Sequence, residues 1–436
     1  MAIEHLHSVP HLTTALTGPL HQIEEHFLAE QTKIETWFRN QWLESPPPFY
    51  ASVDLRNAGF KLAPVDTNLF PAGFNNLDEA VLPLCIQAVQ ASIDHFCPQA
   101  GNILLIPENH TRNLFYMESI ATLVEILTKA GFNVRVGSIQ AGLEENLKID
   151  LPSERSVTIE PIVREGDSIG VADFKPCLAL LNNDLSSGKP PILEGIKQHI
   201  SPPLDLGWSQ RLKSGHFSHY RQIAKSFAEL VDIDPWLIDP LFLQCGEIDF
   251  MKREGEDCLA SNVDMLLSSI QKKYDEYKLD KKPFVVIKAD AGTYGMGVMT
   301  AHSADDVRNL NRKQRTKMSA SKGGQNITGV IIQEGVYTNE TWGNDQAVAE
   351  PVVYMIDRFV VGGFYRVHTN RGPNENLNAP GMKFEPLAFA EPCNNPDPKR
   401  SPDANPNRFY AYGVIARLAL LAAAQEIQEL SKQTSV

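Results

Sequence analysis

The segment that most constrains the fold spans residues 284–300 and reads FVVIKADAGTYGMGVMT. A short apolar run ends at Lys288, and a loop with Gly292, Gly295 and Gly297 follows before a second apolar run. This order predicts a buried strand that delivers a cation. It also predicts a turn whose glycines let backbone N–H groups close over the β- and γ-phosphates of a nucleotide. The alternative is a glycine-rich β-hairpin whose lysine points into solvent. The segment is not a P-loop, because in that motif the lysine follows the glycines.

The composition of the whole chain is that of a water-soluble globular protein of the α/β class. It has 436 residues, of which 43% are hydrophobic and 21% charged, and helical and strand-like runs alternate along it. The net charge of −13 argues against nucleic acid or an anionic membrane as the main partner. Neither a signal peptide nor an apolar run long enough to span a bilayer is evident. We therefore expect a cytoplasmic protein with reduced cysteines.

Two later segments extend the predicted nucleotide site. The run GVIIQEGV predicts a buried strand that ends near Gln333, Glu334 and Val336. Exposed backbone there can hydrogen-bond an adenine edge, and an acid can bind ribose hydroxyls. The run EPVVYMIDRFVVGGFYRVHT predicts a hairpin that delivers Arg366, and the polar loop that follows contains Asn378. A fixed cation beside a flexible polar loop suits an anion that changes shape during reaction, such as an acyl phosphate.

A candidate metal site precedes these segments in the chain. The run KLAPVDTNLFPAGF predicts a strand on which Asp66 and Asn68 share one face. A carboxylate oxygen and an amide oxygen together suit Mg²⁺. The alternative is that both side chains cap the turn before FPAGF.

As a set, Lys288 with its glycine loop, the IIQEGV strand, Arg366 and the NLNAPG loop resemble the ATP-grasp superfamily. With the metal strand early and the nucleotide clamp late, the order resembles the permuted ATP-grasp of eukaryotic-type glutathione synthetase. That resemblance implies an α/β fold, namely a permuted ATP-grasp fold with a Rossmann-like substrate domain and N- and C-terminal helices. The implied units are an N-terminal helical segment at 1–48, the substrate domain with the metal strand at 49–250, the ATP-grasp nucleotide-binding region at 251–390 and a C-terminal helix at 391–436. The basic run 312–329 is expected to be a mobile surface loop.

The same resemblance suggests further site residues. It makes Asp290 the third metal ligand, and it places Arg56 on a substrate carboxylate. It also places Arg112 and Asn113 beside the substrate, and Lys213 is a further candidate for binding substrate. Ordinary alternatives exist: Arg56 could form a surface ion pair, and Arg112 with Asn113 could simply begin a helix.

Nearly the whole chain resembles the proteobacterial ATP-grasp form of glutamate–cysteine ligase, on the runs SVDLRNAGFKLAPVDTNLFPAGFNNL and IKADAGTYGMGV. This implies that ATP with Mg²⁺ activates L-glutamate as an acyl phosphate. L-cysteine would then attack to give γ-glutamylcysteine, ADP and phosphate, the first step of glutathione biosynthesis. Lys288, Arg366 and Asn378 are the predicted catalytic residues. The small-molecule substrates are the expected partners, and the resemblance leaves room for a homodimer.

Two alternative functions stay open. One is a ligase for another amino acid or peptide, such as glutathione synthetase. The other is a nucleotide-binding regulatory protein without turnover. The joint presence of Lys288, Arg366, Asp66 and Asn68 speaks against the regulatory protein, because a degenerate clamp need not keep all of them.

Overall fold

The computed structural model describes residues 12–13, 19–140, 142–292, 297–319, 327–386 and 408–434. The helices are α1 (Pro19–Ala29), α2 (Gln31–Glu44), α3 (Leu82–Phe96), α4 (Leu114–Lys129), α5 (Lys213–Val231), α6 (Glu256–Glu276), α7 (Ala304–Arg308), α8 (Arg312–Ser319) and α9 (Arg408–Thr434). The strands are β1 (Leu12–Thr13), β2 (Tyr50–Asn57), β3 (Leu62–Asn68), β4 (Asn102–Pro107), β5 (Asn133–Ser138), β6 (Leu147–Asp150), β7 (Ser156–Pro161), β8 (Val163–Glu165), β9 (Ser168–Gly170), β10 (Leu178–Asn182), β11 (His199–Ser201), β12 (Phe242–Cys245), β13 (Val285–Ala289), β14 (Val298–Ala301), β15 (Val330–Glu334), β16 (Glu340–Trp342), β17 (Ala347–Ile356), β18 (Phe359–His368) and β19 (Lys383–Pro386). The protein is of mixed α/β type with several sheets, as predicted.

The first sheet contains the predicted metal strand. It is antiparallel, in the order β1-β16-β17-β18-β19, and β2 pairs with the second half of β17 while β3 pairs with β2. Most residues of β17 and β18 are buried, because apolar side chains fill both faces of this part of the sheet. These two strands form the predicted hairpin that delivers Arg366.

The second sheet is mostly parallel, in the order β11-β10-β4-β5-β7-β6, with only the edge strand β6 antiparallel. The apolar runs NILLIP and NVRVGS, with a helical run between them that ends before Gly131, predict a strand–helix–strand unit over 102–138. This unit is observed as β4, α4 and β5. Gly131 follows α4 with φ of 101°, a conformation that glycine adopts without strain. Ligands gather at the carboxyl ends of parallel strands, and here the polar residue Glu108 follows β4 and Asn182 ends β10.

The third sheet carries the lysine segment. It is antiparallel, in the order β12-β15-β13-β14, and Lys288 lies opposite Val298 on β14 and Ile331 on β15. Helix α6 packs against it. The expectation of a mobile loop over 312–329 is wrong for residues 312–319, which form α8. The buried side chain of Met318 anchors that helix to the core.

One apolar core joins the terminal helices to the sheets. Ile34 and Phe38 of α2 and the buried stretch 410–424 of α9 belong to it, and α9 packs against α1, α5, β2 and β3. Within residues 19–44 the N-terminal segment forms the helices α1 and α2, which divide at Glu30. Among the described residues, no helix combines the length and the apolar character that a membrane crossing requires.

Candidate active site

Lys288 links the third sheet to the first. Its Nζ donates hydrogen bonds to the Val65 carbonyl oxygen on β3 and to Gln333 Oε1 on β15, both at 2.8 Å. The lysine therefore points between two sheets and not into solvent, which overturns the alternative of a solvent-facing lysine. Burial, together with the neighbouring cation Lys213, lowers the pKa of Lys288 to about 8, although Asp66 opposes that change.

A bulge in β3 explains why a backbone oxygen reaches Lys288. In the pairing with β2, Asp66 lies opposite Asp54 and Pro64 lies opposite Leu55, so Val65 is an extra residue. Bulges re-aim backbone and side-chain groups next to active sites. Here the bulge turns the Val65 carbonyl toward the lysine and brings two carboxylates face to face.

Asp66 lies on this strand, among cations that come from other parts of the chain. Arg211 donates from Nη1 to the carbonyl oxygen of the next residue, Thr67, at 2.7 Å. Burial alone would raise the pKa of Asp66, but the surrounding cations, chiefly Lys213 and Lys288, outweigh burial and lower it. The carboxylate of Asp66 is therefore ionised near neutral pH, as a metal ligand has to be.

A buried charge network surrounds Arg366. Its Nη1 donates to Asp54 Oδ2 at 3.0 Å and to Glu350 Oε1 at 2.6 Å. The other oxygen of Glu350 accepts from Nε of Arg56 at 3.0 Å, so one carboxylate joins two guanidinium groups. Burial would raise the pKa of Glu350, but the charges of Arg56 and Arg366 outweigh burial and lower it. Nε of Arg366 is buried and has no hydrogen-bond partner within the described part of the chain.

Two cavities open beside these residues. The first, called the clamp cavity here, contains about 870 Å³ of empty space. Its apolar lining residues suit a flat base, and its polar ones suit phosphate oxygens. The apolar residues include Val286, Ala289 and Val298, and Lys288, Gly292 and Gln333 lie among them.

The second cavity, called the asparagine cavity, contains about 1560 Å³ of empty space. Five asparagines line it, namely Asn68, Asn76, Asn113, Asn182 and Asn378. Asp54, Asp66, Arg366 and Asn378 line both cavities and form the junction between them. A ligand in the clamp cavity and a ligand in the asparagine cavity would therefore meet at these four side chains.

The profile of the glutamate–cysteine ligase family matches residues 24–427, a span that includes both cavities. A protein of Methylobacillus flagellatus KT, provisionally named γ-glutamylcysteine synthetase, has a crystal structure at 1.90 Å resolution. It is 58% identical in sequence, the match covers 97% of this chain and 99% of that one, and the TM-score is 0.89. The chain belongs to the glutamate–cysteine ligase family.

Another solved structure is far more distant from this member of the glutamate–cysteine ligase family. A glutathione synthetase-like effector of Globodera pallida is 10% identical over 80% of this chain and 77% of that one, with a TM-score of 0.36. No curated protein sequence matches the chain. Membership in the glutamate–cysteine ligase family makes the chain an enzyme that acts on small molecules, and it implies the use of ATP.

Of the predicted metal ligands of this ligase, Asp66 and Asn68 line the asparagine cavity, whereas Asp290 lines neither cavity. Oδ1 of Asp290 accepts from the Ser214 backbone N at 2.8 Å. Its Oδ2 accepts from Ser214 Oγ at 2.7 Å and from Gln244 Nε2 at 3.0 Å. The carboxylate thus holds the N-terminus of α5, where a negative charge is favourable. The structure does not support Asp290 as a third metal ligand.

The residues at the junction fit a magnesium ion that binds together with a triphosphate. Asp54 and Asp66 lie opposite each other, and Asn68 lines the asparagine cavity close by. Oδ1 of Asn68 accepts from the Phe70 backbone N at 2.9 Å, which is the turn-capping alternative, and this oxygen retains a second lone pair. Within the described ranges, no group of three or more His, Cys, Asp or Glu forms a metal cage. Mg²⁺ commonly takes one or two carboxylates plus phosphate and water oxygens, so this sparse donor set suits it.

The carboxylate of Glu334, predicted to bind ribose, is bonded to side chains of the protein. Its Oε2 accepts from Lys61 Nζ at 2.7 Å, and its Oε1 accepts from Trp236 Nε1 at 3.1 Å. Glu334 and Lys61 are almost fully buried, with 1% of each side chain exposed. Both carboxylate oxygens are thus engaged, but Glu334 also lines the clamp cavity, and its binding of ribose hydroxyls stays a prediction. Gln333, its neighbour on β15, reaches the clamp cavity through its contact with Lys288.

Arg56 braces the wall of the clamp cavity. It is buried, so the alternative of a surface ion pair is wrong. Its Nη1 donates to the Val336 carbonyl oxygen at 3.1 Å and its Nη2 to the Glu375 carbonyl oxygen at 2.5 Å. Arg56 and Val336 line the clamp cavity and not the asparagine cavity. The binding of an amino-acid carboxylate by Arg56 stays a prediction. The Val336 carbonyl oxygen is already bonded to Arg56.

Arg112 and Asn113 differ in their placement. Asn113 lines the asparagine cavity, and its side chain also caps α4 by accepting from the Tyr116 backbone N at 3.2 Å. Arg112 is exposed and lines neither cavity. The helix-start alternative therefore holds for Asn113, and the structure does not bring Arg112 to the site.

The glycine loop is held from the side of α5. Lys213 lines the clamp cavity, and its Nζ donates to the Gly292 carbonyl oxygen at 2.8 Å. Gly292 and Gly297 have φ of 106° and 63°, which a residue with a side chain adopts only with strain. Gly295 lies outside the described residues.

Sequence reasoning missed Asp54 and Glu350. Both lie inside strands that are otherwise largely apolar, YASVDLRN and AVAEPVVYMI. A carboxylate at such a position needs a partner or a function, since burying an unpaired charge is strongly unfavourable. That signal could have found both residues.

Proposed function

We propose that the protein uses ATP to activate the γ-carboxylate of L-glutamate and joins it to the amine of L-cysteine, giving γ-glutamylcysteine, ADP and phosphate. The observation that carries this proposal is the junction of the two cavities at Asp54, Asp66, Arg366 and Asn378. A triphosphate that lies along the clamp cavity would present its terminal phosphate there. A carboxylate that enters from the asparagine cavity would meet it in line, as phosphoryl transfer requires.

The clamp cavity supports nucleotide binding through contacts of two kinds. Val286 and Val298 offer an apolar surface for the base. Lys288 and Lys213 point their ammonium groups at backbone oxygens, which phosphate oxygens can replace as acceptors. Gly292, which lines the same cavity, places no side chain in the way of a phosphate.

Arg366 supports the chemical step. A carboxylate becomes a good acyl donor only after it takes up the phosphoryl group, and attack by the amine then forms a tetrahedral oxyanion. Arg366 lines both cavities and is a preorganised cation for that negative charge. Asp54 and Glu350 hold the guanidinium in place, so little reorganisation is needed when charge develops. Asn378 at the same junction is a further donor for the acyl phosphate.

Asp66, Asn68 and Asp54 would hold Mg²⁺ beside the triphosphate. The ion would neutralise charge on the phosphoryl group during its transfer. The lowered pKa of Asp66 keeps its carboxylate available for that purpose.

The remaining expectations from the sequence belong to the same proposal. They are the permuted ATP-grasp arrangement with a Rossmann-like substrate domain at 49–250, the nucleotide-binding region at 251–390, the helical segments at 1–48 and 391–436, a cytoplasmic location and a homodimer. The chain order of the site supports the permutation, because Asp66 precedes Lys288 by more than half of the chain and both still line one cavity.

A phosphate-release assay tests the function. Purified protein with ATP and Mg²⁺ should release phosphate only when glutamate and cysteine are both present, and mass spectrometry should show γ-glutamylcysteine. Turnover with γ-glutamylcysteine and glycine instead would identify a glutathione synthetase. Binding of ATP without turnover on any amino-acid pair would identify the regulatory alternative.

A further inference from the structure

A buried cluster of Arg211, His216 and Glu426 lies behind β3, outside the walls of both cavities. Nε and Nη2 of Arg211 donate to the two oxygens of Glu426 at 2.8 and 2.9 Å, and His216 Nδ1 is bonded to the same carboxylate. The exposed fractions of the three residues are 4%, 3% and 8% in that order. Burial would raise the pKa of Glu426, but the charges of Arg211 and His216 outweigh burial and hold it well below its usual range. The guanidinium is thus fixed to α9 at two points.

The third guanidinium nitrogen of Arg211, Nη1, reaches the predicted metal strand β3. Nη1 of Arg211 donates to the Thr67 carbonyl oxygen at 2.7 Å, and Thr67 lies between Asp66 and Asn68. In the described part of the first sheet, β3 pairs with β2 and forms an edge. Carbonyl oxygens on the outer side of an edge strand lack a neighbouring strand as donor. Arg211 supplies the missing donor at position 67, as Lys288 does at Val65.

We propose that Arg211 and Glu426 are positioning residues that fix the backbone between Asp66 and Asn68, and thereby aim both side chains at the cation and triphosphate. The inference rests on the proposed function of the junction. Neither residue touches the substrates. A small rotation of the Thr67 peptide would swing the side chains on either side of it, so the ion pair to α9 controls how well those side chains bind Mg²⁺.

A second ion pair on the same helix gives a matched control. Nη1 and Nη2 of Arg417 donate to Oε2 and Oε1 of Glu35 on α2, both at 2.8 Å. Arg417 is buried with 2% of its surface exposed, and neither residue lines a cavity. This pair is also bonded at two points, through Nη1 and Nη2 where Arg211 uses Nε and Nη2, and it links α9 to α2. The Glu35 side chain is half-buried, with 22% of it exposed. Loss of this pair reports the structural effect of breaking a two-point Arg–Glu pair on α9.

The test compares Glu426→Gln with Glu35→Gln, and Arg211→Lys with Arg417→Lys, in the full-length protein. Thermal unfolding gives the midpoint of each variant. Calorimetric titration of Mg²⁺ into protein that holds the non-hydrolysable analogue AMP-PNP gives the affinity without turnover. We expect all four variants to lower the midpoint. Only Glu426→Gln and Arg211→Lys should weaken Mg²⁺ binding, by about tenfold or more, as loss of an outer-shell partner does.

Unchanged Mg²⁺ affinity in both Glu426→Gln and Arg211→Lys would overturn the inference, and so would equal weakening in the Glu35 and Arg417 variants. If Glu426→Gln does not fold, the Mg²⁺ affinity of Arg211→Lys alone tests the inference. If neither folds while both controls fold, the cluster is a folding determinant and the positioning role is rejected. Failure of the wild type to release phosphate with both amino acids would instead refute the proposed function. Normal wild-type turnover with unaltered variant affinity refutes this inference alone.

Discussion

Replacing Lys288 with methionine separates the contribution of this lysine to function from its contribution to stability. Its pKa is lowered from 10.5 to about 8 by burial and neighbouring cations. Between these two values the unfolded chain holds a proton on this lysine that the folded protein has lost, so wild-type stability rises with pH across that window. Below pH 8 the buried charge destabilises the fold by about 3 kcal/mol.

We expect Lys288→Met to be more stable than the wild type at pH 7, even after it loses the hydrogen bonds to Val65 and Gln333. Each bond contributes about 1 kcal/mol, so the net gain in unfolding free energy is about 1–2 kcal/mol. From pH 7 to 9.5 the wild type recovers about 2 kcal/mol, because its folded-state lysine becomes neutral. The advantage of the variant should therefore vanish near pH 9.5. ATP-dependent phosphate release should be lost at every pH.

Urea unfolding of both proteins from pH 7 to 9.5 measures the effect, and the difference between them cancels groups that titrate in both. Lys225→Met, at an exposed lysine of α5, is the control and should show no pH-dependent difference. The reasoning is refuted if Lys288→Met is less stable than the wild type at pH 7. A stability difference that does not change with pH would refute it equally.

Three further variants test other parts of the site. Asp66→Asn should raise the Mg²⁺ concentration for half-maximal phosphate release by about tenfold or more, and an unchanged Mg²⁺ titration would remove Asp66 from the metal site. Asp290→Ala should lower the unfolding free energy by about 1–2 kcal/mol in urea melts through loss of its bonds at α5, with an unaltered Mg²⁺ requirement. A raised Mg²⁺ requirement in Asp290→Ala would instead identify Asp290 as a metal ligand. Lys61→Met should cost about 3–5 kcal/mol by leaving the Glu334 carboxylate buried without its cation, and the double variant with Glu334→Gln should recover much of that loss.

The sequence predicted the local elements of the site better than the direction of its side chains. The lysine hairpin and the β4–α4–β5 unit follow from short apolar runs bounded by glycine or polar turns, and such patterns are local. Whether a carboxylate faces a cavity depends on a partner far away in the chain. Gln333 and Glu334 are adjacent, so alternation along β15 allows only one of them to face Lys288. Only the position of Lys61, which is distant in sequence, shows that Glu334 is the one turned away.

The two arginines and the two lysines of the site donate hydrogen bonds to different kinds of acceptor. This difference explains how the cleft can be rigid and still be able to bind a triphosphate. Arg56 and Arg366 bond to the carboxylate of Glu350, and such charge-assisted bonds hold both guanidinium groups in fixed positions. Lys288 and Lys213 bond to neutral carbonyl and amide oxygens, which are weaker acceptors than phosphate. An incoming triphosphate can therefore take over the two lysines without breaking an ion pair, while the arginines keep their places. The division predicts that nucleotide affinity depends on the lysines and that the rate of the chemical step depends on Arg366.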